Sequence, residues 1–356
     1  MNIEKFLEEK APLIDKAIEK YIPRKFTKDA DLFKVNPPMY SYNLEPLNKA
    51  IAEPIWDMLD RGGKRWRPAL FLLICEALGK DSDCCIDFSI IPEVIHNGTL
   101  IIDDIEDSSK LRRGKPCTYK IFQIDIAVNA GNAMYYLPLL PLMAQKAKLT
   151  PEMERDVYEV YVQEMINLSM GQAMDIAWHR GIANADKLDE EDYLQMCAYK
   201  TGTLARMAAK MAAVLSGADK LLVEKLGRFA ESIGIAFQMQ DDILDVTGVE
   251  FAKTKGGVGQ DITEGKRSLM VIYTLKKANS ADKNRLIEIL NMHTSDQALR
   301  DEAIALMQKY NAVEHVKHTA ERIVEESWSE AEKLLPTPEA KEKLKQFAEF
   351  LIKRNK

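Results

Sequence analysis

The stretch LIIDDIEDSS at residues 100–109 decides both the fold class and the chemistry that we expect. It places Asp103, Asp104 and Asp107 directly after an apolar run. On a helix, residues three and four positions apart lie on one face, with Cβ atoms about 5–6 Å apart. Like charges at that distance destabilise a helix unless a cation compensates them. The stretch therefore predicts a helix with a cation-binding acidic face.

A second copy, FQMQDDILDV at residues 237–246, repeats the arrangement with Asp241, Asp242 and Asp245. Gln238 lies three residues before Asp241, on the same stripe of a helix. One acidic pentapeptide alone could equally be a solvated surface patch. Two copies, each in an apolar helical pattern and each followed by basic residues, favour a metal site. Oxygen ligands without His or Cys indicate Mg²⁺, which keeps waters and recruits substrate phosphates.

Composition predicts a folded, helical protein. Apolar residues make up 46% of the 356 residues and charged residues 29%, which excludes global disorder. The formal charge of −6 argues against a nucleic-acid-binding protein. Only 17 Gly and 14 Pro residues interrupt the chain, which favours long helices. Five cysteines, an odd number without a CxxC pair, and an acidic N-terminus without an apolar signal region indicate a reduced, cytoplasmic protein.

Apolar residues at helical spacing predict an amphipathic first helix from Ile3 to Tyr21 and mostly helices from Leu47 onward. Residues 23–46 form a loop-like insertion, and no alternating segment is long enough to predict a strand. We therefore predict a single all-α domain over residues 1–356. The uncharged stretch from Ile126 to Gln145 is predicted to be a core helix rather than a membrane span, since it contains two Asn and two Pro residues.

Basic residues accompany both aspartate motifs. The segment GGKRWRP at residues 62–68 packs three cations into four residues and precedes an apolar run. Such a cluster suits a diphosphate, although a basic surface turn is the plainer alternative. Arg112 and Arg113 follow the first motif, and Lys255 and Lys266 follow the second. The glycine-rich loop after Lys255 does not match a nucleotide-binding GxxxxGK[ST] loop, and we predict a lid there instead.

These blocks together resemble the trans-isoprenyl diphosphate synthases, the polyprenyl synthetase family. The resemblance runs from about Gly62 to Lys266, with six blocks in the family order: GGKRWRP, HNGTLIIDDIEDSSKLRRGKP, GQAMD, YKTG, FQMQDDILD and GQDITEGKRS. The second block is most similar to that of the geranylgeranyl diphosphate synthases. The resemblance implies a helical bundle around a deep apolar cavity, the isoprenoid synthase-like fold, and a homodimer. It implies isopentenyl diphosphate and an allylic diphosphate (dimethylallyl, geranyl or farnesyl) as substrates, and no nucleic acid.

The resemblance also implies roles for single residues. Isopentenyl diphosphate would bind to Lys64, Arg67, His96 and Arg113. The allylic diphosphate would bind to Arg112, Lys200, Thr201, Gln238, Lys255 and Lys266. Two or three Mg²⁺ ions would be ligated by Asp103, Asp107 and Asp241, with Asp242 and Asp245 sharing this role. The residues expected to act in catalysis are Asp103, Asp104, Asp107, Asp241, Lys200, Thr201 and Gln238, of which Thr201 and Gln238 would lie beside the developing allylic cation.

We expect a head-to-tail condensation with geranylgeranyl diphosphate as main product. Gly98 and Thr99, just before the first motif, would leave a passage open for the growing chain. Met134, Tyr135 and Tyr136 would close it at about twenty carbons, since one helical turn spans about one isoprene unit. In the alternative interpretation Gly98 only permits close helix packing.

Three other functions stay open at this point. A farnesyl or a longer-chain synthase would share the motifs. A class I terpene cyclase needs no second diphosphate site, so Lys64, Arg67 and the second aspartate motif argue against it. A non-catalytic subunit usually lacks a motif, and none is missing here.

Overall fold

The computed structural model describes residues 3–35, 37–41, 43–248 and 257–352. Over these residues the fold is all-α, as predicted. The first half of the chain forms α1 (Ile3–Tyr21), α2 (Asp31–Val35), α3 (Leu44–Leu47), α4 (Glu53–Leu59), α5 (Trp66–Ala77), α6 (Ile86–Glu106), α7 (Thr118–Phe122), α8 (Ile124–Tyr136), α9 (Leu140–Ala144) and α10 (Pro151–His179).

The second half forms α11 (Glu190–Cys197), α12 (Thr203–Leu215), α13 (Lys220–Thr247), α14 (Gln260–Glu264), α15 (Leu269–Lys277), α16 (Ser280–Asn291), α17 (Gln297–Lys309), α18 (Ala312–Ala331) and α19 (Pro338–Ile352). Two segments, Asn48–Ala52 and Ala198–Gly202, are π-helical. Short 3₁₀ turns occupy Ser82–Cys84, Leu137–Leu139, Lys146–Lys148, Ala185–Lys187 and Glu332–Leu334.

The chain forms two compact units. The first contains Met1–Tyr161, Met207–Leu226 and Leu335–Phe347. The second contains Val162–Arg206, Gly227–Leu334 and Ala348–Lys356. That the whole chain is one domain around a deep apolar cavity stays a prediction.

Helix α6 is the centre of the first unit and packs against α1, α5 and α8. Helix α1 covers the predicted range. Its apolar residues, including the fully buried Ile14 and Ile18, share one face, which is the pattern that predicted the helix. Helix α5 is buried almost all round, and Arg67 is among its buried side chains. In the second unit α15 and α17 pack on α18, and the rings of Phe229 and Trp328 lie 5.0 Å apart.

Two local features differ from the prediction. The loop-like stretch at residues 23–46 contains the short helices α2 and α3. A small antiparallel hairpin pairs β1 (Leu111–Arg112) with β2 (Lys115–Pro116). Its turn residues Arg113 and Gly114 both have positive φ, which suits a two-residue hairpin turn. Strands of two residues are too short to produce an alternating sequence pattern.

Within the described ranges, none of the helices is long and apolar enough to span a membrane. The uncharged stretch at residues 126–145 is divided between α8, a 3₁₀ turn and α9, and the break coincides with Pro138 and Pro141. The prediction of one core helix is therefore wrong, because the stretch is interrupted and its Val128, Tyr136 and Met143 are exposed.

Candidate active site

Arg65 fixes the turn that precedes α5. Its backbone is left-handed, with φ of 50°, and its guanidinium donates to Asp15 at 2.8 Å, Glu93 at 3.0 Å and the Leu59 carbonyl at 3.1 Å. All three nitrogens of this buried side chain are thus used inside the first unit. Arg65 therefore serves the fold, and the neighbouring Lys64, which is exposed, and Arg67 are left as candidate ligands.

Arg67 is the most unusual cation of this unit. Only 4% of the residue is exposed, its guanidinium lies 4.5 Å from the ring centroid of Trp66, and its Nε has no hydrogen-bond partner among the described residues. Burial, opposed by Glu93 and reinforced by Arg113, lowers the pKa of Arg67 to about 10. A buried guanidinium with a donor to spare is suited to an anion.

Arg113 and His96 lie beside Arg67. Arg113 donates to the carbonyl of Gly62 and, at 3.4 Å, to Asn97 Oδ1. Burial, together with Arg65 and Arg112, lowers its pKa. Burial and the nearby Arg67 and Arg113 lower the pKa of His96 well below its ordinary value, so His96 is neutral. The structure therefore brings three of the four residues predicted to bind isopentenyl diphosphate into one strongly positive cluster.

The first aspartate motif ends α6. Asp104 is fully buried, and Arg112 donates to its Oδ1 through Nε at 2.8 Å and Nη2 at 2.5 Å. Burial raises the pKa of Asp104, and the Arg112 guanidinium opposes this rise. Asp103 and Asp107 are half-buried, and Asp103 Oδ2 lies 4.0 Å from Arg112 Nη2. Asp104 thus holds the hairpin arginine, and Asp103 and Asp107 are the more accessible carboxylates.

The second motif lies inside α13, in the second unit. The buried Asp242 accepts from the Tyr193 hydroxyl and from Gln238 Nε2, both at 2.8 Å. Burial and the nearby Asp261 raise the pKa of Asp242 to about 7. The buried Asp245 accepts from the backbone N–H groups of Gln260 at 3.2 Å and Asp261 at 3.1 Å, and so caps α14. Asp241 is half-buried.

The π-helical segment Ala198–Gly202 positions Lys200 and Thr201 in the same unit. A Cβ on Gly171 would lie 2.3 Å from the Lys200 nitrogen, so α10 approaches this backbone closely only because residue 171 is glycine. Lys200 Nζ pairs with Asp175 Oδ2 at 2.5 Å, and Thr201 Oγ1 donates to Gln238 Oε1 at 3.1 Å. Segments of π-helix inside α-helices are frequent at functional sites.

Two further predicted ligands, Lys255 and Lys266, follow α13 in the sequence. Lys266 pairs with Glu264 and lies 3.7 Å from Asp261. Lys255 and most of the predicted lid lie outside the described residues. Tyr193 and Asp175 were not among the residues predicted to form the site. Asp175 belongs to the GQAMD block, which is the signal that could have found it, but no motif marks Tyr193.

The predicted chain-length residues require a correction. A Cβ on Gly98 would lie 2.8 Å from Met134 Cβ and 2.9 Å from the Gly131 carbonyl oxygen, so Gly98 lets α6 and α8 pack closely and leaves no passage itself. Tyr136 is 67% exposed on the surface of the first unit and does not close a cavity there. Thr99 and Tyr135 are half-buried, and burial with the nearby Glu106 and Asp103 raises the pKa of Tyr135.

The donor chemistry of both motifs fits magnesium. The described residues contain no group of three or more His, Cys, Asp or Glu side chains arranged to hold a metal ion. Mg²⁺ does not need one, because it is commonly bound through one or two carboxylates together with waters and substrate phosphates. The half-buried Asp103, Asp107 and Asp241 are the residues that would offer such carboxylates.

Comparison with known proteins identifies the family. The polyprenyl synthetase family model matches residues 48–307. A short chain isoprenyl diphosphate synthase from Methanothermobacter thermautotrophicus is 33% identical over 83% of this chain and 88% of its own length. A geranylgeranyl diphosphate synthase from Methanosarcina mazei is 32% identical over 83% of this chain and 87% of its own.

A solved structure agrees with these relatives. The geranylgeranyl pyrophosphate synthetase from Pyrococcus horikoshii superposes with a TM-score of 0.83 and 29% identity, covering 99% of this chain and all of that one. The chain therefore belongs to the polyprenyl synthetase family and is a prenyltransferase.

Proposed function

We propose that this prenyltransferase condenses isopentenyl diphosphate with an allylic diphosphate, head to tail, and releases geranylgeranyl diphosphate as its main product. The observation that supports this most strongly is the cluster of Arg67, which is buried, with the half-buried His96 and Arg113. The pKa values of all three basic side chains are lowered. A bound anion would stabilise the two arginines in their charged form. A cyclase, which ionises one diphosphate only, has no use for this second anion site.

We assign isopentenyl diphosphate to this cluster and to Lys64. The cost of burying Arg67 with an unsatisfied Nε is recovered when a diphosphate oxygen accepts from it. Because His96 is neutral, one ring nitrogen can donate to the same anion while the other accepts, which limits the positive charge of the cluster.

We assign the allylic diphosphate to the two aspartate motifs and to Arg112, Lys200 and Lys266. Bound Mg²⁺ would stabilise the negative charge that develops on the leaving diphosphate. Arg112 is held in place by Asp104, and Lys200 by Asp175, so both cations are oriented before the substrate binds. Thr201 and Gln238 would lie beside the allylic carbon, and the released diphosphate would accept the proton that completes the condensation.

The proposed product length is based on the names of similar proteins. The similar proteins from Methanosarcina mazei and Pyrococcus horikoshii carry the name of geranylgeranyl diphosphate synthases, and the one from Methanothermobacter thermautotrophicus that of a short chain synthase. We propose the same product here, with farnesyl or longer-chain products as the alternatives. We also propose a cytoplasmic location, because of the cysteine pattern and the acidic N-terminus described above.

We further propose a homodimer that forms through α8. Ile124, Val128 and Tyr136 are spaced by multiples of four residues and therefore share one face, where they are 56%, 36% and 67% exposed. Exposed apolar side chains along one helix favour an interaction site, and Asn132 is the polar residue between Val128 and Tyr136 on this stripe. Sedimentation of Val128→Asp should then give a monomer where the unmodified chain gives a dimer.

Incubation with isopentenyl and dimethylallyl diphosphates tests the function. With Mg²⁺ present we expect geranylgeranyl diphosphate, and with EDTA no product. A cyclic hydrocarbon would indicate a cyclase, and no consumption of either substrate would indicate a non-catalytic subunit. A product of fifteen or of twenty-five carbons would retain the reaction but overturn the proposed length.

A further inference from the structure

Tyr193 begins a chain of hydrogen bonds that ends at the hydroxyl of Thr201. The Tyr193 hydroxyl donates to Asp242 Oδ2 at 2.8 Å, and Gln238 Nε2 donates to Asp242 Oδ1 at 2.8 Å. Gln238 Oε1 accepts from Thr201 Oγ1 at 3.1 Å. Tyr193 is 1% exposed and Asp242 is 6% exposed, so water does not compete for the bond between them, whereas Gln238 and Thr201 are half-buried. All four residues belong to the second unit.

The chemistry of the groups sets the direction of this chain. When it is ionised, Asp242 only accepts hydrogen bonds and therefore requires the NH₂ side of the Gln238 amide. The amide oxygen then faces Thr201, and the Thr201 hydroxyl must donate its proton to it. The lone pairs of the Thr201 oxygen therefore point away from Gln238. Without Asp242 the amide could turn over and the hydroxyl could reverse.

We infer that Tyr193 and Asp242 are positioning residues that keep the oxygen lone pairs of Thr201 directed at the electron-poor carbon of the allylic substrate. This rests on the proposed function, in which Thr201 lies beside the developing cation. An oxygen that is oriented before the reaction stabilises positive charge without reorganising at the transition state. The aspartates of the second motif then have different roles, because Asp242 acts through Gln238 and Thr201 and not as a metal ligand.

A double-mutant cycle on kcat tests this coupling. Tyr193→Phe removes the donor to Asp242, and Thr201→Val removes the hydroxyl at the other end while keeping the shape of the side chain. At pH 8 and saturating substrates we expect Tyr193→Phe to lower kcat about tenfold, the size of one hydrogen bond. We expect unchanged KM values and an unchanged Mg²⁺ concentration for half-maximal activity. In the Thr201→Val background, Tyr193→Phe should lower kcat less than twofold.

Tyr310 provides the matched control in the same unit. Its hydroxyl donates to the carboxylate of Asp282 at 2.7 Å, so Tyr310→Phe loses the same kind of bond away from the motif. Its effect on kcat should be below twofold in both backgrounds. If Tyr193→Phe does not fold, Asp242→Asn replaces it in the cycle, because the asparagine amide no longer dictates the orientation of Gln238.

Losses that add across the cycle would overturn the inference, and so would a shift in the Mg²⁺ requirement of Tyr193→Phe. An inactive unmodified protein would overturn the proposed function itself, which is a different result from an active protein with additive losses.

Discussion

The two aspartate motifs share a spacing but use it differently. In the first, the middle carboxylate, Asp104, is buried against a cation, Arg112. In the second, the middle carboxylate, Asp242, is buried against the neutral donors Tyr193 and Gln238. The first pair compensates a buried charge by a hydrogen-bonded charge. In the second the hydrogen-bond partners are neutral and Lys266 compensates the charge only weakly, and burial with the nearby Asp261 raises the pKa of Asp242 to about 7.

The third carboxylates differ as well. Asp107 follows the last residue of α6 and is half-buried, whereas Asp245 is inside α13, buried, and caps α14. A motif of five residues therefore specifies which side chains share a helix face, but the partners of each side chain come from other parts of the chain. Equal letters in the two motifs do not imply equal roles.

The largest loss of activity should come from changing the accessible first aspartate of each motif, because the two motifs are alike at this position. Asp103→Asn and Asp241→Asn should each lower kcat at least about a hundredfold. Each removes a carboxylate that would bind Mg²⁺, the ion that would stabilise the negative charge on the leaving diphosphate. Urea unfolding should show no loss of stability, since each change removes a like-charged neighbour. Activity near that of the unmodified protein in either variant would contradict the assignment.

The middle aspartates should differ in stability. Asp104→Asn leaves Arg112 without its buried partner, and we expect the free energy of unfolding to fall by about 3 kcal/mol. At pH 7, Asp242→Asn keeps an acceptor for Tyr193 and removes a buried charge held mainly by neutral donors, so it should not lower the free energy of unfolding. Urea titrations of both variants without metal measure this. Equal losses would show that the two carboxylates are held alike.

The two diphosphate sites should separate in kinetics. Arg67→Ala should raise the KM of isopentenyl diphosphate, and Lys200→Ala should raise that of the allylic substrate, each by about ten- to a hundredfold. The reason is that each cation contributes a charge-assisted contact to one substrate. Exposed Lys25 offers a control, since Lys25→Ala should leave both KM values unchanged. If Arg67→Ala and Lys200→Ala raised both KM values equally, the assignment of the sites would be wrong.

Asp242 should also give stability a pH dependence in metal-free protein. Its pKa rises from an ordinary value near 4 to about 7 on folding, so between these pH values the folded state binds a proton that the unfolded state has lost. Its contribution to stability is therefore greatest below about pH 4 and declines as the pH rises to 7. The stability of Asp242→Asn relative to the unmodified protein should increase over the same range. A constant difference between pH 4 and pH 8 would contradict this.

Much of this molecule could be predicted from the sequence alone. The apolar periodicity of α1 is sufficient to place its ends, and the two aspartate motifs and the GGKRWRP segment identify the family. These signals are local, since they depend on residues that neighbour each other along a helix or a turn. The hairpin at Leu111–Pro116 and the helices inside residues 23–46 were missed because elements of two to five residues leave no periodic pattern.

The partners of the site residues could not be predicted. Tyr193 reaches Asp242 over 49 positions of sequence, and Gly171 meets Lys200 across two helices. No spacing rule connects such pairs. For the same reason Gly98 had two interpretations, an open passage or a close helix contact, and the position of Met134 on α8 distinguishes them.

Product length is the finest test of how the first motif is used. Thr99 lies one turn before Asp103 on the same face of α6, is half-buried, and donates its hydroxyl to the His96 carbonyl at 2.7 Å. Thr99→Phe should shorten the main product by one isoprene unit, because one helical turn of about 5.4 Å matches that length. Gly98→Phe is a poor test, since any Cβ there would displace α8. Tyr40→Ala is the control, because Tyr40 is 79% exposed and lies outside α6, α8 and the proposed dimer face. Chromatography of the dephosphorylated products decides: an unaltered length in Thr99→Phe, or an altered product in Tyr40→Ala, would place the limit on the chain elsewhere.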